Sequence, residues 1–192
     1  HRRLRCHHAR TAARLATAMI LCLAATAVGA DKRPNILIVL TDDMGFSDLG
    51  CFGGEIDTPN LDALAAGGLR FTEFYNTARC WPTRATLMSG RYSNKLGPAQ
   101  VTIPQILKTA GYDTGMVGKW HLGMNPKKDG PIQRGFDSFY GTMTGAGSFW
   151  DPYTLTRNTE AAKPDGDDYY YTDKIGSEAV TQIESFARSD NP

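Results

Sequence analysis

Cysteine and histidine are both scarce in this sequence. Each occurs four times in 192 residues, and two of the cysteines and three of the histidines lie within the first 30 positions. From residue 31 onward only Cys51, Cys80 and His121 remain. Two cysteines are too few for a disulfide framework, and this set has no cluster with the spacing of a zinc site. We therefore expect the two cysteines to stay unpaired.

The sequence also lacks a marked excess of positive charge. Its 21 basic and 20 acidic residues give a formal net charge of +1, and five of the basic residues are arginines in the first 30 positions. Without that segment, 16 basic residues stand against 20 acidic ones, and the formal charge is −4. Because nucleic-acid binding needs a basic patch or stripe, the composition argues against a nucleic-acid partner.

Residues 1–30 have the composition of a secretory signal peptide. Five arginines precede an apolar run at residues 15–28, and Val28-Gly29-Ala30 is a small-residue cleavage pattern. The alternative is a membrane anchor, but the run is shorter than the about 20 residues that a span needs. We therefore expect a secreted or periplasmic protein without a stable membrane span. Because the sequence begins with His1, we also expect it to be part of a longer protein.

A continuous apolar run with β-branched residues lies at residues 35–40. This pattern predicts a strand that is covered on both faces. Asp42 and Asp43 follow at its carboxyl end, where ligands bind in open α/β sheets. Two adjacent carboxylates suit calcium or magnesium, whereas Asp-Asp-Met-Gly is equally good composition for a solvated turn. The residues alone leave both interpretations open.

Signals for helices and for one further strand alternate along the rest of the chain. A cap residue followed by proline predicts a helix at residues 58–65 and another at residues 102–110. Residues 112–117 predict a strand, and residues 172–188 predict a helix with one apolar face. The glycine-rich, aromatic residues 145–153 predict a loop, with the lining of a substrate pocket as the alternative. The alternation predicts an α/β fold with a largely parallel central sheet flanked by helices.

Lys119 and His121 stand directly after the strand predicted at residues 112–117. Two positions apart in an extended segment, their side chains would share one face at the carboxyl edge of the sheet. A cation and a proton-transfer group would then lie near Asp42 and Asp43. The alternative is a surface lysine beside a half-buried histidine.

The stretch Cys80-Trp81-Pro82-Thr83-Arg84 combines a cysteine, a proline and an arginine within one helical turn. Pro82 suits the first turn of a helix, so we predict that a helix begins at the cysteine. The N–H groups and the positive end of the dipole favour an anion there, and Arg84 adds a cation with several donors. The stretch therefore either places a nucleophilic cysteine beside an anion site or is an ordinary loop without a function.

Three segments carry a further resemblance. They are Cys80-Trp81-Pro82-Thr83-Arg84 with Leu87-Met88-Ser89-Gly90-Arg91, the segment at residues 111–121, and the segment at residues 34–45. In sequence and order they resemble the signatures of the formylglycine-dependent (type I) sulfatases. The commoner family pattern has serine where this chain has Thr83. The resemblance covers residues 33–141 and implies that residues 31–192 are the N-terminal part of a sulfatase catalytic domain.

The resemblance implies an alkaline-phosphatase-like α/β fold and a modified nucleophile. Cys80 would be oxidised to formylglycine by a maturation enzyme. Asp42 and Asp43, together with the modified Cys80, would hold calcium or magnesium. The metal and the formylglycine are thus the cofactors that the resemblance predicts.

Arg84, Lys119 and His121 complete the catalytic set that the resemblance implies. Arg84 and Lys119 would bind the nucleophile and screen the sulfate charge, and His121 would be the base that helps to expel sulfate. The family also uses a later Asp-Asn metal pair, a second histidine and a second lysine. None of these is present up to Pro192, so we expect the 192-residue piece alone to be inactive.

The function that the resemblance implies is hydrolysis of sulfate monoesters by an arylsulfatase-like sulfuric ester hydrolase. The substrate would be an aryl sulfate or a sulfated polysaccharide. One alternative is a phosphodiesterase or phosphonate hydrolase of the same superfamily. The other is an inactive, truncated module that binds sulfated glycan. Fold alone does not decide among these functions.

Overall fold

In the computed structural model of the chain, the structure describes residues 33–95, 100–189 and 191–192. The predicted signal peptide at residues 1–30 lies outside the described residues. Contacts divide the chain into a unit of residues His1–Ile36 and a unit of residues Leu37–Pro192, and the helices and strands given below lie in the second unit. No helix in the described ranges is both long enough and apolar enough to cross a bilayer.

The described residues of the second unit form four α-helices and four β-strands. The helices are α1 (Pro59–Ala66), α2 (Cys80–Ser89), α3 (Ile103–Thr109) and α4 (Tyr171–Phe186). The strands are β1 (Gly115–Lys119), β2 (Ser138–Thr142), β3 (Leu155–Arg157) and β4 (Glu160–Ala161). The helices predicted at residues 58–65, 102–110 and 172–188 and the helix start at Cys80 are all confirmed to within two residues.

The four strands form one mixed sheet in the order β1-β2-β3-β4. The pair β1 and β2 is parallel, in a register that runs from Gly115 opposite Ser138 to Lys119 opposite Thr142. The pairs β2 with β3 and β3 with β4 are antiparallel. Helix α4 packs against β1 and β2. The predicted α/β class is therefore confirmed, with its parallel pairing in the two strands that end together at Lys119 and Thr142.

Strand β2 divides the core into two clusters because neighbouring strand residues point to opposite faces of a sheet. Phe139 lies in a cluster with Trp120 and Met143, and Trp120 is only 1% exposed. Tyr140 lies in a second cluster, whose other buried members are Leu155 and Tyr169. The sheet is thus buried on both faces at β2, and this burial fixes the position of the carboxyl ends of β1 and β2.

The strand predicted at residues 35–40 is wrong. The structure has no regular element there, and Leu37 and Val39 are 72% and 69% exposed. A strand needs a neighbour that takes its N–H and C=O groups, and within the described ranges no segment pairs with residues 37–40. The apolar, β-branched pattern indicated that the segment could be buried, but it carries no information about a neighbouring strand that would pair with it.

Strand β1 begins three residues later than the strand predicted at residues 112–117. The N–H group of Tyr112 donates to the carbonyl oxygen of Leu107, so this residue still belongs to the turn that ends α3. Gly111 has a φ of +80°, a conformation that glycine adopts without strain. The first residues of the predicted strand therefore belong to the turn, and pairing with β2 starts at Gly115.

Candidate active site

Helix α2 presents Cys80 as its first residue. The preceding residue, Arg79, has extended backbone angles and makes no side-chain cap hydrogen bond. Cys80 is half-buried and, like Cys51, is a free cysteine. Pro82 lies in the first turn, where its missing N–H group costs no helical hydrogen bond. Cys80 therefore stands where the helix dipole favours negative charge.

Arg84 connects α2 to the end of β1. The residue is 9% exposed, and its Nη1 donates to the carbonyl oxygen of Lys119 at 2.5 Å. Its Nη2 lies 3.6 Å from Oδ2 of Asp42. The guanidinium is thus held between the irregular segment at residues 41–45 and the last residue of β1.

Lys119 joins the same carboxylate. Its Nζ donates to Oδ2 of Asp42, the oxygen that also faces Arg84. One carboxylate is therefore shared by two cations, and the group of three carries a net positive charge. The structure brings Asp42, Arg84 and Lys119 together at the carboxyl end of β1, the edge at which the sequence predicted a site.

His121 reaches this region by a route that the sequence did not indicate. Strand β1 ends at Lys119, and His121 has a left-handed backbone with a φ of +56°. The expected extended Lys-x-His segment is therefore wrong. The N–H group of His121 donates to the carbonyl oxygen of Met143 at 3.1 Å, and its buried Nδ1 has no hydrogen-bond partner among the residues described.

The charges of the site shift the pKa values of its buried members. Burial lowers the pKa of His121, and the cations Lys119 and Arg84 lower it further, while Asp42 acts in the opposite direction. Burial also lowers the pKa of Arg84, with Asp42 and Cys80 opposing the shift. His121 is consequently neutral at neutral pH and can accept a proton, whereas an arginine stays charged.

Asp43 does not join this cluster directly. Its backbone is left-handed, with a φ of +55°, and across the described ranges its side chain makes no ion pair or hydrogen bond with Arg84 or Lys119. The described part of the chain holds no group of three or more His, Cys, Asp or Glu residues that could bind a metal. Asp42 and Asp43 fit a hard cation by their oxygen chemistry, and they would supply part of its coordination shell.

Sequence reasoning missed two residues that shape the site. A Cβ atom on Gly145 would lie 2.2 Å from Cε1 of His121, so the ring packs directly against this glycine. The hydroxyl of Tyr171 accepts a hydrogen bond from the N–H group of Thr142 at 3.0 Å, opposite Lys119 in the sheet. The glycine-rich run at residues 145–153 was a visible signal for Gly145, but nothing in the sequence singled out Tyr171.

Comparison with known proteins identifies the family of this chain. Residues 34–192 match the family model of the sulfatases. The chain belongs to the sulfatase family. Among curated proteins, the chain is 37% identical over 177 residues to arylsulfatase J of Mus musculus, covering 79% of this chain and 29% of the relative. It is 43% identical over 141 residues to arylsulfatase A of Homo sapiens, covering 64% and 28%.

Solved structures confirm the sulfatase fold. The crystal structure of Ps i-CgsB matches with a TM-score of 0.76 and 30% identity, over 84% of this chain and 43% of that one. The same protein in complex with k-i-k-neocarrahexaose matches with a TM-score of 0.67 and 28% identity, over 79% and 41%. The PsFucS1 sulfatase from Pseudoalteromonas sp. has a TM-score of 0.67 over 90% and 44%, and at 24% identity it supports the fold alone.

The chain is much shorter than these relatives. It spans 29% of arylsulfatase J and 28% of arylsulfatase A. Each of these relatives therefore contains many residues outside the part that matches this chain.

Proposed function

We propose that the full-length protein hydrolyses sulfate monoesters at the site formed by Cys80, Arg84, Lys119 and His121. The observation that carries the proposal is a pair of unsatisfied buried atoms. Nε of Arg84 and Nδ1 of His121 have no hydrogen-bond partner among the residues that the structure describes, a property that they share only with the hydroxyls of Thr86 and Ser138 in that part of the chain. Because buried polar atoms are nearly always hydrogen-bonded, both atoms call for a polar ligand beside the two cations.

Cys80 is the residue that carries the nucleophile in this proposal. A maturation enzyme would oxidise it to formylglycine, whose hydrate has two hydroxyls on one carbon, so that one can attack sulfur and the other can expel sulfate. The position at the start of α2 favours the charge that develops there, because the N-terminal dipole and Arg84 are both positive. A plain thiol would leave a stable sulfur intermediate.

Arg84 and Lys119 bind and screen the sulfate. Arg84 is preorganised because it is buried and bonded to the carbonyl oxygen of Lys119, so little rearrangement is needed when an anion enters. Lys119 adds a second positive charge from the adjacent strand end. Asp42 holds both cations in place while its single negative charge leaves the group net positive.

His121 is the proton acceptor of the proposed reaction. Burial and the neighbouring cations lower its pKa, which keeps the imidazole neutral and able to take a proton from the second hydroxyl.

Asp42, Asp43 and the modified Cys80 would hold a calcium or magnesium ion. When bound, the ion would neutralise sulfate oxygens and acidify the attacking hydroxyl. We predict calcium or magnesium in the full-length protein and no stoichiometric zinc, because these ligands are oxygen donors without a zinc-type cluster. Elemental analysis of the purified protein that shows one zinc per chain, lost together with activity in Asp42→Ala, would contradict this assignment.

The proposed substrate class is a sulfate ester of an aryl alcohol or of a polysaccharide, in a secreted or periplasmic setting. The arylsulfatase relatives support the first, and the oligosaccharide complex of Ps i-CgsB supports the second. The initial rates on 4-nitrophenyl sulfate and bis(4-nitrophenyl) phosphate, measured side by side, test the reaction class. Faster turnover of the phosphate diester would contradict the proposed sulfatase activity and would indicate a phosphodiesterase.

Cys80→Ser and Cys80→Ala in the full-length protein test the nucleophile. We expect Cys80→Ser to give at most one turnover of 4-nitrophenyl sulfate, because a serine sulfate has no second hydroxyl on the same carbon. Cys80→Ala should lose even that first transfer. Cys51→Ser is the matched control, since Cys51 is the other free, half-buried cysteine in the described part of the chain and only its backbone bonds to Asp62 and Arg70.

The readouts are the burst amplitude, the steady-state rate and the mass of the peptide that contains Cys80. We expect an aldehyde on wild-type Cys80 and normal turnover in Cys51→Ser. Multiple turnovers by Cys80→Ser, or an unmodified thiol in fully active wild-type protein, would overturn the formylglycine mechanism.

A further inference from the structure

Three aromatic rings form an exposed cluster in the loop that follows Gly145, the glycine against which the His121 ring packs, and at the start of α4. Phe149, Trp150 and Tyr170 are 49%, 67% and 37% exposed. The ring centroids lie 6.2 Å apart for Phe149 and Trp150, and 5.7 Å apart for each of these rings and Tyr170. These separations are within the range of stabilising aromatic pairs, so the rings support one another while their outer faces meet solvent. We call these three residues the aromatic platform.

The backbone holds the platform in place. Oγ of Ser148 accepts hydrogen bonds from the N–H groups of Trp150 at 3.1 Å and of Asp151 at 3.0 Å. The N–H group of Tyr171 donates to the carbonyl oxygen of Phe149 at 2.7 Å, which ties the loop to the start of α4. The rings therefore stand on a defined turn and on a helix end.

Tyr171 connects the platform to the anion site. It directly follows Tyr170, and its hydroxyl is bonded to Thr142, which pairs with Lys119 at the end of the parallel strands. Tyr171 is also close enough to Arg84 to contribute a small upward shift to the pKa of the guanidinium. Tyr171 thus links the helix start that carries Tyr170 to the strand ends that carry Thr142 and Lys119.

The chemistry of the platform indicates its ligand. Its rings offer flat apolar faces, and the polar groups of Ser148 and Asp151 lie in the same loop. A pyranose ring has a matching structure, with C–H groups on its faces and hydroxyls around its edge, and exposed aromatic rings attract such C–H groups. The aryl group of a small aryl sulfate, in contrast, has no second ring that could reach beyond the anion site.

We propose that the aromatic platform binds a pyranose ring of a sulfated oligosaccharide while the sulfate ester of the same ligand lies at Arg84 and Lys119. This inference rests on the proposed sulfatase function and specifies its substrate class. The platform would therefore act in substrate binding, and it would not take part in the bond-breaking step.

The test uses the full-length protein with Trp150→Ala and Trp150→Phe. The probes are 4-nitrophenyl sulfate, a sulfated galactan hexasaccharide and a chondroitin sulfate hexasaccharide. We expect Trp150→Ala to raise KM roughly ten-fold for a hexasaccharide that the wild type hydrolyses, with kcat/KM on 4-nitrophenyl sulfate changed less than about two-fold. Trp150→Phe should restore most of the binding because it keeps a flat ring. Tyr153→Ala is the control, since Tyr153 is 73% exposed in the same loop but lies outside the platform.

The outcomes separate the two proposals. No turnover of any sulfate ester by the wild type refutes the proposed function itself. Turnover of 4-nitrophenyl sulfate, but of neither hexasaccharide, refutes the platform alone. An unchanged KM in Trp150→Ala, or an equal loss in Tyr153→Ala, also refutes it. A lower melting temperature with equal losses on aryl and saccharide substrates would show that the rings pack against another part of the protein.

Discussion

Replacing Gly145 by alanine tests whether the position of His121 matters for catalysis. A Cβ atom at residue 145 would lie 2.2 Å from Cε1 and 2.4 Å from Nε2 of His121, where ordinary contacts begin at about 3.4 Å. The ring must therefore retreat by about 1 Å or more to restore a normal contact. Gly145 is not among the glycines with positive φ, so the backbone itself tolerates alanine.

His121 cannot absorb this displacement without cost. Its backbone N–H is bonded to Met143, its φ is +56°, and the preceding Trp120 is 1% exposed with its indole bonded to Asp129. A misplacement of a catalytic group by about 1 Å reduces the rate by roughly 100-fold. We therefore expect kcat of Gly145→Ala to fall by about that factor while the protein still folds.

Gly147→Ala is the matched control for this variant. It adds the same methyl group two residues further along the loop, where the Cβ atom would meet only Cε1 of Tyr153 at 4.0 Å. We expect Gly147→Ala to retain its kcat and to gain up to about 1 kcal/mol of stability, because alanine reduces the entropy of the unfolded chain.

The assay is steady-state hydrolysis of 4-nitrophenyl sulfate by full-length protein, combined with a thermal melt and the mass of the Cys80 peptide. The melt and the mass distinguish a displaced base from misfolding or failed maturation. The role assigned to His121 would be refuted if Gly145→Ala had the kcat of the wild type together with a normal melting temperature and a normal mass of the Cys80 peptide.

Three further predictions concern charge, stability and completeness. Asp42→Asn should lower kcat by roughly 100-fold in the full-length protein, because its two cations lose their shared partner and the metal loses a ligand; retention of both activity and bound metal would contradict this. Burial raises the pKa of Asp137, but hydrogen bonds from Lys108 and Thr114 outweigh it and lower the pKa below 3.8. Its stabilisation is therefore present above the unfolded pKa and is lost as the pH falls through the lower folded value. Asp137→Asn should cost about 1 kcal/mol of unfolding free energy near pH 6, a value reduced for the 39% exposure of the carboxylate, and should cost little near pH 2, as denaturant titration at both pH values can measure. Finally, a protein of residues 31–192 alone should show no turnover of 4-nitrophenyl sulfate and should expose the apolar residues 37–40 to a dye such as ANS; a rate comparable with the full-length enzyme would contradict this.

Local chemistry explains why the helices could be predicted from the sequence. In α3, the side chain of Gln105 bonds to the N–H group of Thr102, which completes a capping box that spans only four residues. Helix α2 begins at Cys80 because Pro82 fits its first turn. Signals of this kind require no information about distant parts of the chain.

The failures arise where distant partners decide the structure. Residues 37–40 have the composition of a buried strand, but pairing depends on a neighbour that composition does not specify. His121 leaves the extended conformation because its N–H group bonds to Met143, which is 22 positions away in the sequence. The meeting of Asp42 with Lys119 was expected because loops at the carboxyl ends of parallel strands converge, but no described segment pairs with residues 37–40, so Asp42 reaches Lys119 without a strand before it.

The positive charges of the site explain how one arrangement can bind an anion and also supply a base. An unperturbed histidine is partly protonated near its ordinary pKa of 6.5, and an acidic neighbour such as Asp42 would raise that value. Here burial, Lys119 and Arg84 outweigh Asp42 and keep His121 neutral. Together with burial, the cations proposed to hold sulfate therefore also keep the proposed proton acceptor unprotonated, so that substrate binding and base function share the same two side chains and the single carboxylate that positions them.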